Sequence, residues 1–155
     1  MKNSLGYTQS FYIQLNRIGQ QITRDLQQAF HDQKVTVSQW NVLAAIALEK
    51  ATTPSAISDA LNVDGAAVSR HLDTLERKGL LKRVASPEDR RSVSVELSVE
   101  GLALVPKLAE IAHTIDKRYC EKLSESDLTR LQHALQQLGG EVTTQQHSAE
   151  DWEIS

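Results

Sequence analysis

Hydrophobic residues recur every three or four positions along most of the chain, which is the spacing of one face of an α-helix. The first such stretch covers residues 7–30 and carries Phe11, Leu15, Ile18, Ile22, Leu26 and Ala29. A second helix is predicted from Thr36, where a Thr-x-x-Gln capping box with Gln39 marks an N-terminus. Its spacing puts Trp40, Leu43 and Ala47 on one side. Residues 54–61, "PSAISDAL", form a third helix with proline at its first position, the place that favours it.

A fourth helix is predicted over residues 64–78, after a tight turn at Asn62 and Val63. Asp64 is a suitable N-cap, and Gly79 is a suitable stop. Helical spacing puts one side of this helix against the core, with Val68, Leu72 and Leu75. The opposite, outward side then carries Ala66, Ser69, Arg70, Asp73 and Arg77.

Beyond Gly79 the period changes from helical to two, which predicts a β-hairpin. Its strands are "LLKRVA" and "VSVEL", and its turn is "SPEDRRS". Ser98 then caps a long helix in which Pro106 either bends the helix or marks a later start. A last helix begins near Ser124 and ends at "GG", with a stripe of Leu128, Leu131, Leu135 and Leu138. The predicted fold is mainly α with a small β-hairpin wing: a winged helix-turn-helix with six helices.

Length and composition are those of a globular protein. At 155 residues, with 40% hydrophobic and 24% charged residues, the chain fits one domain with a substantial core. No apolar run approaches the roughly 20 residues of a membrane span, and the N-terminus lacks the apolar region of a signal peptide. A single cysteine, Cys120, fits a reducing compartment. We therefore expect a cytoplasmic protein with no membrane partner.

The charge is distributed unevenly along the chain, although the net charge is only −3. Residues 64–91 hold seven basic and five acidic residues, whereas residues 141–155 hold four acidic residues and no lysine or arginine. Local sign governs attraction to a partner more than the total does. A local excess of two positive charges is weak evidence for a nucleic-acid partner by itself, because many solvated surfaces carry the same excess. Residues 147–155 are expected to be a loose acidic tail.

The sequence shows no constellation typical of an enzyme. Nucleophile–base pairs, glycine-rich phosphate loops and paired catalytic carboxylates are all absent from it. Glu110 and His113 have i, i+3 spacing, but no second histidine or cysteine lies at ligand spacing, so no metal site and no cofactor are predicted. Cys120 is expected to be a small packing residue rather than a redox sensor.

The segments "VSRHLDTLERKGLLKR" and "DRRSVSVELSVEG" resemble the MarR family of bacterial transcriptional regulators, and the similarity extends over residues 36–101. The resemblance implies an intertwined homodimer whose N- and C-terminal helices interlock. It also implies a recognition helix in the major groove, a wing in the minor groove, and repression that is often relieved by small phenolic or anionic compounds. Within a single domain spanning 1–155, residues 36–100 would be the DNA-binding lobe, and 1–33 and 101–146 the dimerisation helices.

By the same resemblance, Arg91 is expected to enter the minor groove, where negative potential is concentrated, and Arg90 to hold a phosphate or support the wing. Asp89 and Arg83 would support the wing, with Asp89 orienting Arg91 or pairing with Arg83. The start of the recognition helix, "DGAAVSR", departs from the hydroxyl residues that many family members carry there. The expected DNA contacts are Thr53, Ser55, Gly65, Ala66, Ala67, Ser69, Arg70, Arg77, Arg90 and Arg91.

The expected partner is a palindromic operator in double-stranded DNA, with half-site centres about 34–36 Å apart. In the family the effector pocket lies between the dimer helices and the DNA-binding lobe, and its candidate lining residues are Tyr12, His31, Trp40 and His113. Each of these could equally be a packing or surface residue. The alternative function is a winged-helix protein–protein interaction module without independent DNA binding.

Overall fold

The computed structural model describes residues 10–85 and 93–139. The helices and strands follow the predicted order, with a 3-10 turn at His31–Gln33 added after the first helix. Their bounds are α1 Phe11–Ala29, α2 Val37–Ala47, α3 Pro54–Leu61, α4 Gly65–Arg77, β1 Leu81–Ala85, β2 Val93–Leu97, α5 Val99–Cys120 and α6 Glu125–Gly139.

The predicted helix starts are confirmed by side chains that accept hydrogen bonds from otherwise unpaired backbone N–H groups. At α2, the N–H of Gln39 donates to Thr36 Oγ1 (3.1 Å), and the N–H of Thr36 donates back to Gln39 Oε1 (3.3 Å). Thr53 Oγ1 caps α3, and Asp64 Oδ1 caps α4 by accepting from the N–H of Ala67 (3.0 Å). Local sequence signals therefore fix where these helices begin.

The long helix α5 begins at Val99, and Ser98 Oγ accepts from the N–H of Gly101 at 3.0 Å. It continues through Pro106, so a later start at this proline is wrong. Proline has no N–H to donate and nevertheless lies inside the helix. Gly101 lies against the backbone of Leu80, which follows α4. A Cβ at position 101 would overlap the carbonyl oxygen of Leu80.

The second helix is buried on most sides rather than along the single side of Trp40, Leu43 and Ala47 that its spacing suggested. Val42, Ala45 and Ile46 are buried as well. The reason is that α1, α3, α4 and β2 pack around α2, so α2 forms the centre of the core. Fully buried side chains from five elements or connections meet there, among them Phe30, Leu43, Ile57, Leu72 and Val95.

The hairpin is antiparallel, with Leu81 opposite Leu97, Arg83 opposite Val95 and Ala85 opposite Val93. Its inner face is the one that carries Val95, which is fully buried. The N–H of Val95 donates to the carbonyl of Thr52 at 2.7 Å, so the wing is joined to the segment just before α3.

The chain divides into two compact units, which meet in sequence between Ala112 and His113, within α5. The first unit contains α1 to α4 and the hairpin, and the second contains the end of α5 and α6. Over the described residues, none of the helices combines the length and apolarity needed to cross a membrane.

Candidate nucleic-acid interface

The turn between α3 and α4 sets the position of the fourth helix. Asn62 has a left-handed conformation (φ 50°), which asparagine tolerates better than most residues, and it ends α3. The hydroxyl of Ser58 donates to the carbonyl of Val63 at 2.5 Å. Asp64 then begins α4 two residues after Asn62, which gives the short helix–turn–helix connection that presents α4 on the surface.

The two predicted sides of α4 are confirmed by burial. Val68, Leu72 and Leu75 are fully buried. The outward face is exposed at every predicted position, namely Ala66, Ser69, Arg70, Asp73 and Arg77, and Gly65 is exposed too. Ala67 is only half-buried, so its methyl lies at the margin of this face rather than at its centre. The outward face is therefore narrow at its N-terminal end, where Gly65, Ala66 and Ser69 are small. The two arginines of this face lie further along the helix.

The two arginines of the outward face differ in their surroundings. Arg77 lies along the helix, because its Nε donates to the carbonyl of Asp73 (3.3 Å) and its terminal nitrogen donates to Thr74 Oγ1 (3.2 Å). Arg70 lies two turns earlier, beside the small residues. Arg70 is therefore closer than Arg77 to the part of α4 that can approach another molecule.

Arg83 of β1 joins the wing to α4. Its guanidinium pairs with Asp73 Oδ1 and with Glu76 Oε2, each at 2.6 Å, and its backbone N–H donates to Glu76 Oε1 at 3.1 Å. Partial burial alone would lower the pKa of Arg83, but the hydrogen bonds and charges of the two carboxylates outweigh it and raise the pKa. Two carboxylates of α4 therefore hold this guanidinium, while Asp89 lies outside the described residues, so its pairing with Arg83 stays a prediction.

The residues at the start of α3 have the geometry of a helix N-terminus. Thr53 Oγ1 accepts from the N–H of Ala56 at 3.2 Å, and Pro54 has no N–H. Ser55 is exposed beside them. Their contacts with phosphate remain a prediction.

The tip of the wing, with Asp89, Arg90 and Arg91, lies outside the described residues. Its two ends are described: Ala85 and Val93 form the last pair of the hairpin. The roles of the three tip residues remain predictions.

A groove of about 1160 Å³ follows α1, and it brings together two of the four candidate effector residues, Tyr12 and His31. Trp40 is not among its lining residues, because its indole packs in the core with its ring centroid 6.1 Å from that of Phe30. His113 belongs to the second unit and is exposed there.

Sequence reasoning missed Arg24 and Gln27, which also line the groove. Arg24 and Gln27 lie seven and four positions before His31, which are spacings of one helical face and therefore a usable signal.

In the part of the chain that the structure describes, no three histidine, cysteine or acidic side chains form a group that could hold a metal ion. Cys120 is half-buried in the second unit.

Comparison with known proteins decides the family. A model described as "MarR family" matches residues 33–92. The HTH-type transcriptional regulator PecS of Dickeya dadantii is 31% identical over 124 residues, which cover 78% of this chain and 75% of PecS. The chain belongs to the MarR family of transcriptional regulators.

Solved structures of MarR-family proteins share its fold. A cysteine-to-serine mutant of Escherichia coli MarR complexed with operator DNA has a TM-score of 0.75 at 26% identity, covering 80% of this chain and 89% of that one. Bordetella bronchiseptica BpsR, whose structure concerns regulation of DNA binding by 6-hydroxynicotinic acid, has a TM-score of 0.80 at 26% identity, covering 86% and 96%. The six helices and the hairpin therefore form a MarR-family winged helix.

Proposed function

We propose that this MarR-family chain is a dimeric, sequence-specific DNA-binding repressor of the cytoplasm, released from an inverted-repeat operator by a small anionic or phenolic effector. The observation that carries the proposal is the outward face of α4, which is fixed by a fully buried opposite face and flanked by a wing whose tip bears Arg90 and Arg91. The solved operator complex of E. coli MarR supports it, since that protein has the same fold.

The shape of α4 suits the major groove. An α-helix with its side chains is about 10–12 Å across, and the groove is about 12 Å wide, so a close approach needs small residues on the facing side. Gly65, Ala66 and Ser69 supply them, and the alanine methyl can meet a thymine methyl. Arg70 is then the side chain that reaches a guanine edge or a phosphate.

Arg83 makes the surface beside α4 less repulsive to DNA. Asp73 and Glu76 would each present a negative charge next to the phosphate backbone. One guanidinium pairs with both of them, so the local charge falls from −2 to −1. The positive charges that contact DNA are then those of Arg70, Arg90 and Arg91.

A dimer is supported by apolar side chains that a single protomer leaves exposed. On α1, Phe11 is 59% and Tyr12 69% exposed, and on α6 Leu135 is 47% and Leu138 63% exposed. Patches of this kind mark protein–protein contacts. Two linked reading heads also bind two half-sites far more tightly than either head binds one.

The proposed effector is a small anionic or phenolic compound, and the α1 groove offers it a cationic side chain. Arg24 can pair with a carboxylate or phenolate, and His31 can donate a hydrogen bond to it. A ligand would act by favouring a spacing of the two recognition helices that does not fit DNA. The 6-hydroxynicotinic acid of the BpsR structure belongs to this chemical class.

The test is a salt titration of binding to the intergenic DNA upstream of the protein's own gene. Replacing Arg90 and Arg91 by alanine should weaken binding and lower the slope of log K against log salt by up to about 2 units. The control, Lys107→Ala with Lys117→Ala, removes the same charge outside residues 36–100 and should leave the slope unchanged. Equal affinity of all three proteins would favour the protein–protein interaction module.

A further inference from the structure

We infer that Lys78 is a positioning residue for DNA binding, which fixes the C-terminal end of α4 against the connection between α1 and α2 without touching DNA. This inference rests on the proposed function. Its starting point is that the Lys78 ammonium donates to Gln39 Oε1 at 2.8 Å and to the carbonyl of Lys34 at 2.6 Å. These contacts join residues 39 and 44 positions apart in the chain.

Gln39 is an unusual acceptor, because it is the buried polar side chain among the described residues and is only 6% exposed. Its Oε1 also accepts the N–H of Thr36, so one oxygen receives both the helix cap of α2 and the Lys78 ammonium. Hydrogen bonds from a charged donor are about twice as strong as neutral ones. The acceptor oxygen is therefore held by two donors, and the exposed Lys78 donates to it with a charged group.

The second acceptor, the carbonyl of Lys34, is presented by an uncommon backbone conformation. Lys34 follows the 3-10 turn with φ 55°, in the left-handed region. The next residues are held from the other side by Gln27 of α1, whose Nε2 donates to the carbonyl of Val35 (3.4 Å) and whose Oε1 accepts from the N–H of Val37 (3.1 Å). Lys78 is thus attached to a segment that is fixed on both sides.

Directional contacts of this kind determine the angle of α4, which its apolar face cannot do alone. Hydrophobic contact is non-directional and tolerates small rotations. Since α4 has 13 residues, it is about 20 Å long, and a pivot of about 10° at one end moves the other by about 3 Å. That is the full length of a hydrogen bond to a base edge. Loss of the Lys78 contact would therefore weaken DNA binding at a distance.

The experiment compares Lys78→Met, which keeps an unbranched apolar stem but removes the ammonium, with Lys107→Met, which removes the same charge from α5. We expect Lys78→Met to lower operator affinity roughly three- to tenfold, the effect of losing one hydrogen bond of ordinary strength, because Lys78 is exposed to solvent. The salt slope should stay within about 0.3 of the wild-type value, because no phosphate contact is lost. Lys107→Met should match the wild type in operator affinity and in salt slope.

Two further measurements separate positioning from direct contact. In a Gln39→Met background, the effect of Lys78→Met should shrink by at least about half, because the shared contact is already broken. In the free protein, exchange of the Lys78 and Leu80 amide protons, which close the end of α4, should become several-fold faster in Lys78→Met.

A fall in the salt slope of about 0.9 would overturn the inference, since it would mean that Lys78 neutralises a phosphate. Unchanged affinity would overturn it as well. Failure of the wild type to bind any duplex would instead refute the proposed function. Amide exchange in the free protein would then test the Lys78 contact without DNA. Exchange that Lys78→Met leaves unchanged would overturn the role of this contact at the end of α4.

Discussion

Replacing Arg83 by glutamine tests the connection between the wing and α4. The mutation removes two ion pairs of 2.6 Å, to Asp73 and to Glu76. The Arg83 side chain is 27% exposed, but the carboxylates are 57% and 41% exposed, so solvent screens both pairs. Pairs of this kind contribute about 0.2–1 kcal/mol each, and two that share one ordered guanidinium should contribute about 1–1.5 kcal/mol together.

Urea denaturation at a fixed protein concentration measures this loss as a lower midpoint with an unchanged m-value. The matched control is Lys82→Gln, which removes a single pair of 3.0 Å to Glu96, with both side chains more than half exposed. We expect less than about 0.5 kcal/mol for the control. The difference between the two variants should shrink in about 1 M salt, where charges are screened within about 3 Å. Equal midpoints for Arg83→Gln and Lys82→Gln would refute the reasoning.

Three further predictions concern stability. Gly101→Ala should destabilise the fold by several kcal/mol in urea titrations, because the new Cβ would overlap the Leu80 carbonyl. Gly65→Ala has open space around its Cβ and should be neutral or slightly stabilising, so similar midpoints for the two variants would contradict this. Asp64→Ala removes the N-cap of α4 and should lower the unfolding free energy by about 1 kcal/mol, and an unchanged value would show that the cap is dispensable. Partial desolvation raises the pKa of Asp116 although the residue is exposed, and a neighbouring histidine offsets part of the shift. The small contribution of this carboxyl to stability is therefore present below its unfolded pKa and is lost as pH rises through the folded pKa. Asp116→Asn should therefore melt higher than the wild type at pH 7 but not at pH 3, and a gain at both values would count against the assigned cause.

Helix boundaries and the hairpin could be predicted from the sequence because their signals are local. A cap such as Thr36 or Asp64 acts within three residues of the helix that it begins. Gly79 ends α4 with φ 72°, a conformation that glycine adopts without strain. The alternation of Val93, Val95 and Leu97 needs only its period of two.

The connections that orient α4 could not be predicted, because they depend on how distant elements meet. The two carboxylates that hold Arg83 lie 7 and 10 positions earlier on a helix, and no local pattern indicates this pairing. The ammonium of Lys78 and the buried Gln39 are farther apart still. Helical spacing also assigned one buried side to α2, because a single-sequence pattern does not show that neighbours surround this helix.

The most direct test of the central claim is sedimentation of the purified protein with a fluorescent duplex from the region upstream of its own gene, at several salt concentrations. We predict two protein chains per duplex and an affinity that falls steeply as salt rises, because arginines at both wings and both recognition helices displace counterions. A single chain that sediments apart from the duplex even at low salt would contradict the account.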